Sequence, residues 1–296
     1  MVRCRLRWCS ALVCVVVPLR LLGPAAVHAD SLLPLVTEQA QTLPSGVAEA
    51  SIGVAYFDDL RFPAFTPPGV LRSQTLVKGP QLGFRIGAGG WAEIQAAYET
   101  IYLDEQATTG ETNRQFGSGD VRLFTKVRLV HEGERFPGVA LRFGAKLPNA
   151  SRSARLGTDD TDFGIDGLAS RSFGPVAAHI NLGLLLLGNS GPTIGNSFQA
   201  GGQDDLVNYA VALTSAPLGA SVAGATQLTV LGEFAGQTGS RFGNDRAAAR
   251  LGLQLTRGAG TIYLGVSAGL VTASENLGAS AGFSYRFEPG KLLSGE

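Results

Sequence analysis

The fold is decided by the segment Leu277-Gly-Ala-Ser-Ala-Gly-Phe-Ser-Tyr-Arg-Phe287 near the end of the chain. Its odd-numbered positions are apolar or aromatic, and its even-numbered positions are glycine, serine or arginine. Successive side chains of a β-strand point to opposite faces, so this period of two predicts a strand with one apolar face. A strand of about ten residues is long enough to cross a bilayer at a steep tilt.

The same alternation recurs along the chain and predicts about twelve strands. Gly79 and Pro80 interrupt one of these segments, whose start could lie earlier in the sequence. An even number of strands is typical of single-chain outer-membrane barrels. The other predicted strands lie near 48–57, 76–88, 91–102, 120–131, 137–147, 162–173, 175–187, 205–214, 226–236, 246–256 and 261–270.

The connections between these segments alternate in length, as they do where short periplasmic turns face long outer loops. Because hydrocarbon offers no partner to an unpaired backbone amide, a sheet that spans a membrane must close on itself. We therefore predict an all-β fold, a transmembrane up-and-down antiparallel β-barrel of the bacterial outer membrane. The short connections are 87–90, 131–136, 174–175 and 257–260, the long ones are 58–69, 103–119, 148–161, 188–204 and 236–245, and 215–225 is intermediate.

The first residues predict export. Three arginines precede the apolar stretch 11–17, and small residues precede Asp30, as in a secretory signal peptide. We expect residues 1–29 to be this signal, cleaved near Ala29. The alternative, a transmembrane anchor, is disfavoured because prolines and an arginine interrupt a stretch that is already too short to span.

The composition excludes several classes of function. Cys4, Cys9 and Cys14 all lie in the predicted signal, so we expect neither disulfides nor a thiolate metal site, and no cofactor. The signal also removes four of the 24 Lys and Arg residues, leaving 20 against 24 acidic residues. A mature chain of this charge is not expected to bind nucleic acid.

Three further segments follow the signal. Residues 30–46 contain Pro34 and Pro44 but no alternation, and two interpretations stay open: a short plug inside the barrel or a periplasmic arm. Residues 47–287 form the predicted barrel, with outer-membrane lipid around it. Residues 288–296 form a predicted periplasmic tail.

Strand parity places a set of charged side chains on the inner face of the barrel. They could line a water-filled pore for a small-molecule solute, or they could form ion pairs that close the lumen and stabilise a structural or surface-interaction barrel. The candidates are Arg85, Glu93, Glu99, Arg122, Lys126, Arg128, Arg142, Lys146, Asp166, His179, Glu233, Arg250 and Arg286.

Signals for catalysis are weak. Outer-membrane phospholipases use a histidine, a serine and an asparagine on a barrel face, and His179 with Asn181 is the pair closest to that pattern here. No serine stands two residues beyond His179, and its parity directs it inward. We therefore assign no catalytic residues and do not expect an enzyme. A hydrolase is the least favoured alternative.

Several short motifs carry a resemblance to a known family. They are Gly117-Ser-Gly-Asp-Val-Arg-Leu-Phe-Thr-Lys126, Leu141-Arg-Phe-Gly-Ala-Lys-Leu-Pro148, Thr158-Asp-Asp-Thr-Asp-Phe-Gly164, Asn181-Leu-Gly183 and Pro34-Leu-Val-Thr-Glu38. Together they resemble proteobacterial outer-membrane proteins named for the meta-pathway of phenol degradation. The resemblance implies a channel or transporter for passive passage of small, often hydrophobic or aromatic, compounds.

A second resemblance concerns assembly of the barrel. Gly282, Tyr285 and Phe287 fit the pattern polar-x-Gly-x-x-aromatic-x-aromatic of a barrel's last strand. This resemblance implies the barrel-assembly machinery as a partner. Here the pattern is followed by the tail at 288–296, whereas the usual protein ends on the aromatic residue.

Overall fold

A computed structural model of the protein describes residues 31–60, 72–107, 110–151, 153–154, 156–157, 159–188, 205–218, 226–238 and 245–290. They contain the strands β1 (Ala48–Leu60), β2 (Arg72–Ala88), β3 (Ala92–Ala107), β4 (Thr112–Ser118), β5 (Val121–Val130), β6 (Gly138–Leu147), β7 (Asp162–Phe173), β8 (Val176–Leu186), β9 (Leu206–Ser215), β10 (Gln227–Thr238), β11 (Arg246–Arg257), β12 (Gly260–Gly269) and β13 (Leu277–Phe287). The predicted signal peptide lies outside these residues.

The strands form one closed antiparallel wall. Among the described strands β4 pairs only with β3, every other strand pairs with a neighbour on both sides, and the pairing of β1 with β13 as well as with β2 closes the wall. Both β4 and β5 pair with β3, and only Gly119 and Asp120 separate them, so together they make one passage along the wall. The barrel therefore has twelve strands, and the predicted fold class is confirmed.

Among the residues that the structure describes, no helix is long and apolar enough to cross a membrane.

Two connections between the strands are two-residue hairpin turns. Gly174 and Gly258 open these turns with φ of 64° and 58°, a conformation that a side chain would strain. Both turns coincide with connections that the sequence predicts to be short.

One predicted loop is wrong. Residues 103–107 and 112–118 are paired strand residues instead, because β3 continues to Ala107 and β4 runs from Thr112 to Ser118 against it. This region looks like a loop because its side chains are polar. The buried carboxylate of Glu105 accepts hydrogen bonds from Gln74 at 2.6 Å and Asn113 at 3.1 Å, so polar cross-strand contacts hold this extension together.

The strand β2 also begins earlier than the apolar alternation suggests. Its ladder with β3 shifts register between Lys78 and Gln81, where Gly79 and Pro80 lie. Proline has no amide hydrogen to donate to a ladder, so an irregularity is expected at this position.

The outer face of the wall is apolar. Leu182 on β8, Leu251 on β11 and Val266 on β12 are 61%, 64% and 54% exposed. Exposed apolar side chains alternate with buried or half-buried inward ones along these strands, as the sequence predicts. A closed wall with a continuous apolar exterior matches the hydrocarbon of a bilayer.

Aromatic side chains mark one rim of this apolar surface. Trp91, Phe136 and Phe173 lie in or beside three of the short turns, and all three are largely exposed. At the same end, Tyr285 on β13 stacks with Phe287, with 6.5 Å between the ring centroids. Aromatic rings are enriched at the level of the lipid head groups, so this rim fits a membrane interface.

A charge placed on the outer face is predicted to destabilise the barrel according to its depth. L264R, near the middle of β12, should lower the free energy of unfolding by about 2–4 kcal/mol, because hydrocarbon does not solvate a guanidinium. L270R, just beyond the end of β12, is the matched control and should cost about 1 kcal/mol or less.

Denaturant unfolding of both variants in lipid vesicles measures the difference. Equal losses for the two variants would contradict the assignment of this face to lipid.

Candidate functional site

The predicted lumen residues all lie on the inner face of the wall. Most of them are paired with another side chain rather than directed into open space. The ion pairs that involve them join Lys78 and Arg122 to Glu99, Arg85 to Glu49 and Glu93, Lys126 to Glu38 and Glu93, Arg142 to Asp166, Lys146 to Asp120 and Asp162, Arg250 to Glu233, and Arg286 to Glu49. These ion pairs form a ladder across the inner face of the wall.

The most deeply buried pair joins β3 and β5. The Nζ atom of Lys126 lies 3.3 Å from Glu93 Oε1, and both side chains are completely buried. Glu93 is also 3.4 Å from Nη1 of Arg85, so two cations balance its single negative charge. Buried charges are tolerated only when they are paired in this way.

A second cluster surrounds Arg142 on β6. Its Nε donates to Gln95 at 2.8 Å and its Nη1 donates to Asp166 at 3.0 Å. The guanidinium lies over the ring of Phe124, 3.8 Å from its centroid, in a cation–π contact. These three contacts fix the orientation of the guanidinium.

Close packing around Arg142 depends on a glycine. A Cβ atom at Gly183 on β8 would lie only 2.0 Å from Asp166 Oδ1 and 2.8 Å from the carbonyl oxygen of Ile165. A larger residue at position 183 would therefore have to displace the Asp166 carboxylate.

Two other predicted residues have different surroundings. Arg128 does not form an ion pair within the described residues; its Nη2 donates to the carbonyl oxygen of Gly90 in the β2–β3 turn. His179 is 1% exposed, with Nδ1 2.9 Å from Ser170 Oγ and Nε2 3.2 Å from Thr214 Oγ1.

The Ser170–His179 contact was not found from sequence. Ser170 precedes the histidine by nine residues and reaches it through the β7–β8 ladder, where the two residues are directly paired. Only the register of the strands could have revealed this neighbour. Within the described chain no carboxylate bonds to His179, and Ala40 covers the serine by donating its amide to Ser170 Oγ at 2.9 Å. Among the described residues the pair therefore has no carboxylate to orient the histidine, and its serine is covered by the contact with Ala40.

Residues 31–46, which we call the inner segment, contact the inner faces of opposite walls. The amide of Thr37 donates to Glu233 on β10 at 2.6 Å, and the amide of Leu43 donates to Glu93 on β3 at 2.9 Å. Between them, Glu38 exchanges two hydrogen bonds with the side chain of Asn181, at 2.7 and 2.8 Å. Side chains of the wall thus satisfy the backbone of a segment that has no strand partner.

Glycines make room for the inner segment. A Cβ atom would lie 3.0 Å from Pro34 at Gly252 and 2.3 Å from it at Gly265. At the other end, a Cβ atom at Gly87 would lie 2.1 Å from the carbonyl oxygen of Pro44. The inner segment approaches the wall closely at these three glycines.

Electrostatics hold the centre of the inner segment. Glu38 Oε2 lies 3.4 Å from Lys126 Nζ. Burial raises the pKa of the Glu38 carboxyl, but the charges of Lys126 and Arg142 outweigh that effect, and the pKa falls to about 2. Glu38 is therefore ionised at neutral pH and anchors the segment to the basic side of the lumen.

Beside the inner segment lies a cavity of about 580 Å³, which we call the lumen cavity. Val36 and Glu38 border it from the inner segment, and inward-facing residues of the wall complete it. Its lining combines charged side chains with apolar ones, including Phe57, Leu76 and Phe124. Its volume is within the range of small-molecule sites, roughly 300–1,000 Å³.

Comparison with known proteins gives a match in structure only. No family model matches the sequence, and no curated protein matches it significantly. An outer-membrane channel of Pseudomonas putida F1 superposes with a TM-score of 0.58 at 9% identity, covering 84% of this chain and 98% of that chain. The β domain of the Bordetella autotransporter BrkA gives 0.47 at 10% identity, over 81% and 99%, and the porin NanC gives 0.44 at 10%, over 80% and 98%.

The chain is an outer-membrane β-barrel. The closed wall, the apolar exterior and the match to the Pseudomonas structure agree on this fold, and the predicted location in the outer membrane is confirmed.

Breaking the Lys126–Glu93 pair is predicted to destabilise the barrel strongly. K126M should lower the free energy of unfolding by about 3–5 kcal/mol, because it leaves the buried carboxylate of Glu93 without its closest cation. R114M is the control, since Arg114 pairs with Asp104 at 2.9 Å on an exposed surface, and should cost about 1 kcal/mol or less. Denaturant unfolding measures both; similar losses would contradict a special role for the buried pair.

A single methyl group at Gly183 is predicted to disturb Asp166. G183A should lower the free energy of unfolding by about 1–3 kcal/mol, because the new Cβ overlaps with the carboxylate that binds Arg142. G167A is the control on the adjacent strand, where the nearest atom to a new Cβ is 3.7 Å away. Thermal unfolding of the two variants tests this, and an unchanged midpoint for G183A would refute it.

Proposed function

We propose that this barrel is a passive outer-membrane channel or transporter for small organic solutes, with the inner segment as its plug. The observation that carries the proposal is the lumen cavity, a space of small-molecule size inside the wall with a polar and apolar lining. Such a lining suits compounds that combine an apolar body with a polar group. The predicted pore-lining residues form the walls along which the solute would pass.

The contacts of the inner segment support its role as a plug. Most are hydrogen bonds to side chains, such as those of Thr37 to Glu233 and Leu43 to Glu93, and water can replace such bonds at modest cost. Its apolar contacts include two small clusters, one around Leu35 and one around Ala40, and the buried side chain of Leu43. The segment can therefore leave the lumen without disrupting any strand pairing.

We also propose that the chain is a divergent member of the phenol meta-pathway-like family that its motifs resemble. The structure gives these motifs a physical role. Asp120, which ends the Gly-x-Gly-Asp motif, accepts hydrogen bonds from the amides of Asn149 and Ala150 at 3.1 and 3.0 Å, just after the Lys-x-Pro motif. Lys146 bridges Asp120 and Asp162, at 3.4 and 2.7 Å. The motifs thus tie together three successive passages of the wall.

The fold is consistent with this assignment. The Pseudomonas structure is described as an outer-membrane channel, and this chain covers 98% of it. The family implies small, often hydrophobic or aromatic, solutes. We also propose that the signal at 1–29 directs export. The barrel-assembly machinery would then recognise the closing strand and insert the barrel.

The second candidate is a closed barrel that serves a structural or surface-interaction role. It is favoured by one observation, the pairing of nearly every inward charge together with a segment that crosses the lumen. In that case the inner segment would be a permanent part of the core.

Locking the inner segment distinguishes the two candidates. Ala40 and Ala140 lie in one buried apolar cluster, and the mature chain has no cysteine of its own, so A40C/A140C can form a single disulfide. A plugged channel should show conductance in planar bilayers when the disulfide is reduced and lose most of it when oxidised. A40C alone is the control and should not respond to oxidation.

Deleting residues 31–43 gives the complementary measurement. The deletion should raise the conductance severalfold, because the segment no longer fills the lumen. Absence of conductance in both the intact chain and the deletion variant would reject the channel and support the closed barrel.

A further inference from the structure

The register of the wall aligns inward residues into two rows beside the lumen cavity. The first, which we call the polar row, contains Arg142, Asp166, Gly183, Asn208, Gln237 and Arg246, each paired with the next across the sheet. The second, which we call the alanine row, is the next inward row of the sheet, two residues from the polar row on each strand. It contains Leu168, Asn181, Ala210, Ala235 and Ala248. Except for Gly183, all of these residues border the cavity.

The polar row begins with a cation of fixed orientation. Arg142 is held by Gln95, by Asp166 and by the ring of Phe124. Its remaining amino group, Nη2, makes no hydrogen bond within the described residues. The ring beneath it is seated against Gly144, where a Cβ atom would lie 2.7 Å from Phe124. The Nη2 group of this fixed guanidinium is therefore available to donate a hydrogen bond to a solute.

Farther along the row, two neutral amides face the cavity side by side. Asn208 on β9 and Gln237 on β10 are directly paired in register. Neither side chain forms a hydrogen bond with the part of the chain that the structure describes. Each can therefore both donate and accept a hydrogen bond from a molecule in the cavity.

The alanine row provides an apolar recess below these groups. Ala210, Ala235 and Ala248 are adjacent in register, and their short side chains keep this part of the wall open. Phe57 and Leu76 border the same cavity. A hydrocarbon group of a solute would be removed from water here, which favours binding by about 25 cal/mol for each Å² buried.

We propose that the lumen cavity is a binding site for a compact organic monocarboxylate with an apolar body. The inference rests on the proposed channel, since the solute reaches the cavity through the lumen. The carboxylate binds Nη2 of Arg142, because guanidinium and carboxylate form short, charge-assisted hydrogen bonds. The apolar body lies on the alanine row, and Asn208 and Gln237 bind a further polar substituent.

Other classes of solute fit less well. A pure hydrocarbon would displace water from Arg142 and both amides without replacing its hydrogen bonds, which costs binding free energy. Three carboxylates border the cavity, and an organic cation would have to compete for each with a group of the wall: Asp166 is paired with Arg142 at 3.0 Å, Glu38 with Lys126 at 3.4 Å, and Glu275 accepts a hydrogen bond from Ser267 at 2.9 Å. A carboxylate instead binds the Nη2 group of Arg142, which has no hydrogen-bond partner among the described residues.

Three probes of nearly equal size test the inference: benzoate, neutral benzamide and cationic benzylamine. Titration calorimetry of the full mature chain in detergent micelles should show benzoate binding about tenfold or more tightly than either of the others, the gain expected from one charge-assisted hydrogen bond. R142Q should remove this preference and leave the affinity for benzamide unchanged. R114Q, an equal change of charge at an exposed position of β4 outside the cavity lining, is the control and should keep the preference.

A second variant keeps the inference testable if R142Q does not fold. A235L leaves the described ion pairs of the wall intact and fills the alanine row, so it should weaken benzoate binding about tenfold or more by occupying the space of the apolar body. Equal affinities for the three probes, the same loss in R114Q as in R142Q, or unchanged binding in A235L would each overturn the proposal. Conductance in planar bilayers reports the channel separately, so a conducting barrel without a preference for benzoate refutes only this inference.

Discussion

The structure depends on one constraint: in hydrocarbon, every backbone N–H and C=O of the wall must find a partner within the wall. The pairing of β1 with β13, from Ala48 opposite Phe287 to Asp58 opposite Leu277, meets this constraint by joining the first strand to the last. Once the wall is closed, each strand has one face toward lipid and one toward a narrow interior. The alternation of the sequence then acquires its physical meaning, and the composition of both faces follows.

Inside the barrel the requirement is different: each buried charge needs an opposite charge beside it. Glu93, Lys126 and Arg85 meet it by sharing charges across three strands, and Arg142 meets it with Asp166. Glycines provide the space that these long side chains and the inner segment require. Gly183 leaves space for the Asp166 carboxylate, and Gly265 leaves space for Pro34 of the inner segment. The high glycine content of the chain thus reflects crowding inside the barrel as well as tight turns.

The sequence was sufficient to predict most strands of the wall, but it did not predict the contacts inside the barrel. A period of two is a local property, so twelve strands and the inward parity of residues such as Lys126 could be predicted. The hairpin built by β3 and β4 was missed because its polar residues, such as Glu105, form cross-strand contacts that no apolar alternation reveals. The contact of His179 with Ser170, and the path of the inner segment, depend on register and on distant strands, which no local pattern encodes. The polar row is a property of the closed sheet, since its members are separated along the chain and meet only through the ladders.

The attachment of the inner segment to the wall has a kinetic consequence. Its C-terminal end is fixed beside β1, where the amide of Gly46 donates to the carbonyl oxygen of Gly87 and the amide of Val47 donates to that of Pro44. Because the inner segment is tethered so closely, its effective concentration at its binding position on the inner wall stays on the order of millimolar, even when it is displaced. In the proposed channel, a solute in the lumen would therefore compete with a segment that remains attached to the barrel. Displacement of the inner segment from the lumen would be brief, because the tethered segment returns to its binding position without having to diffuse back.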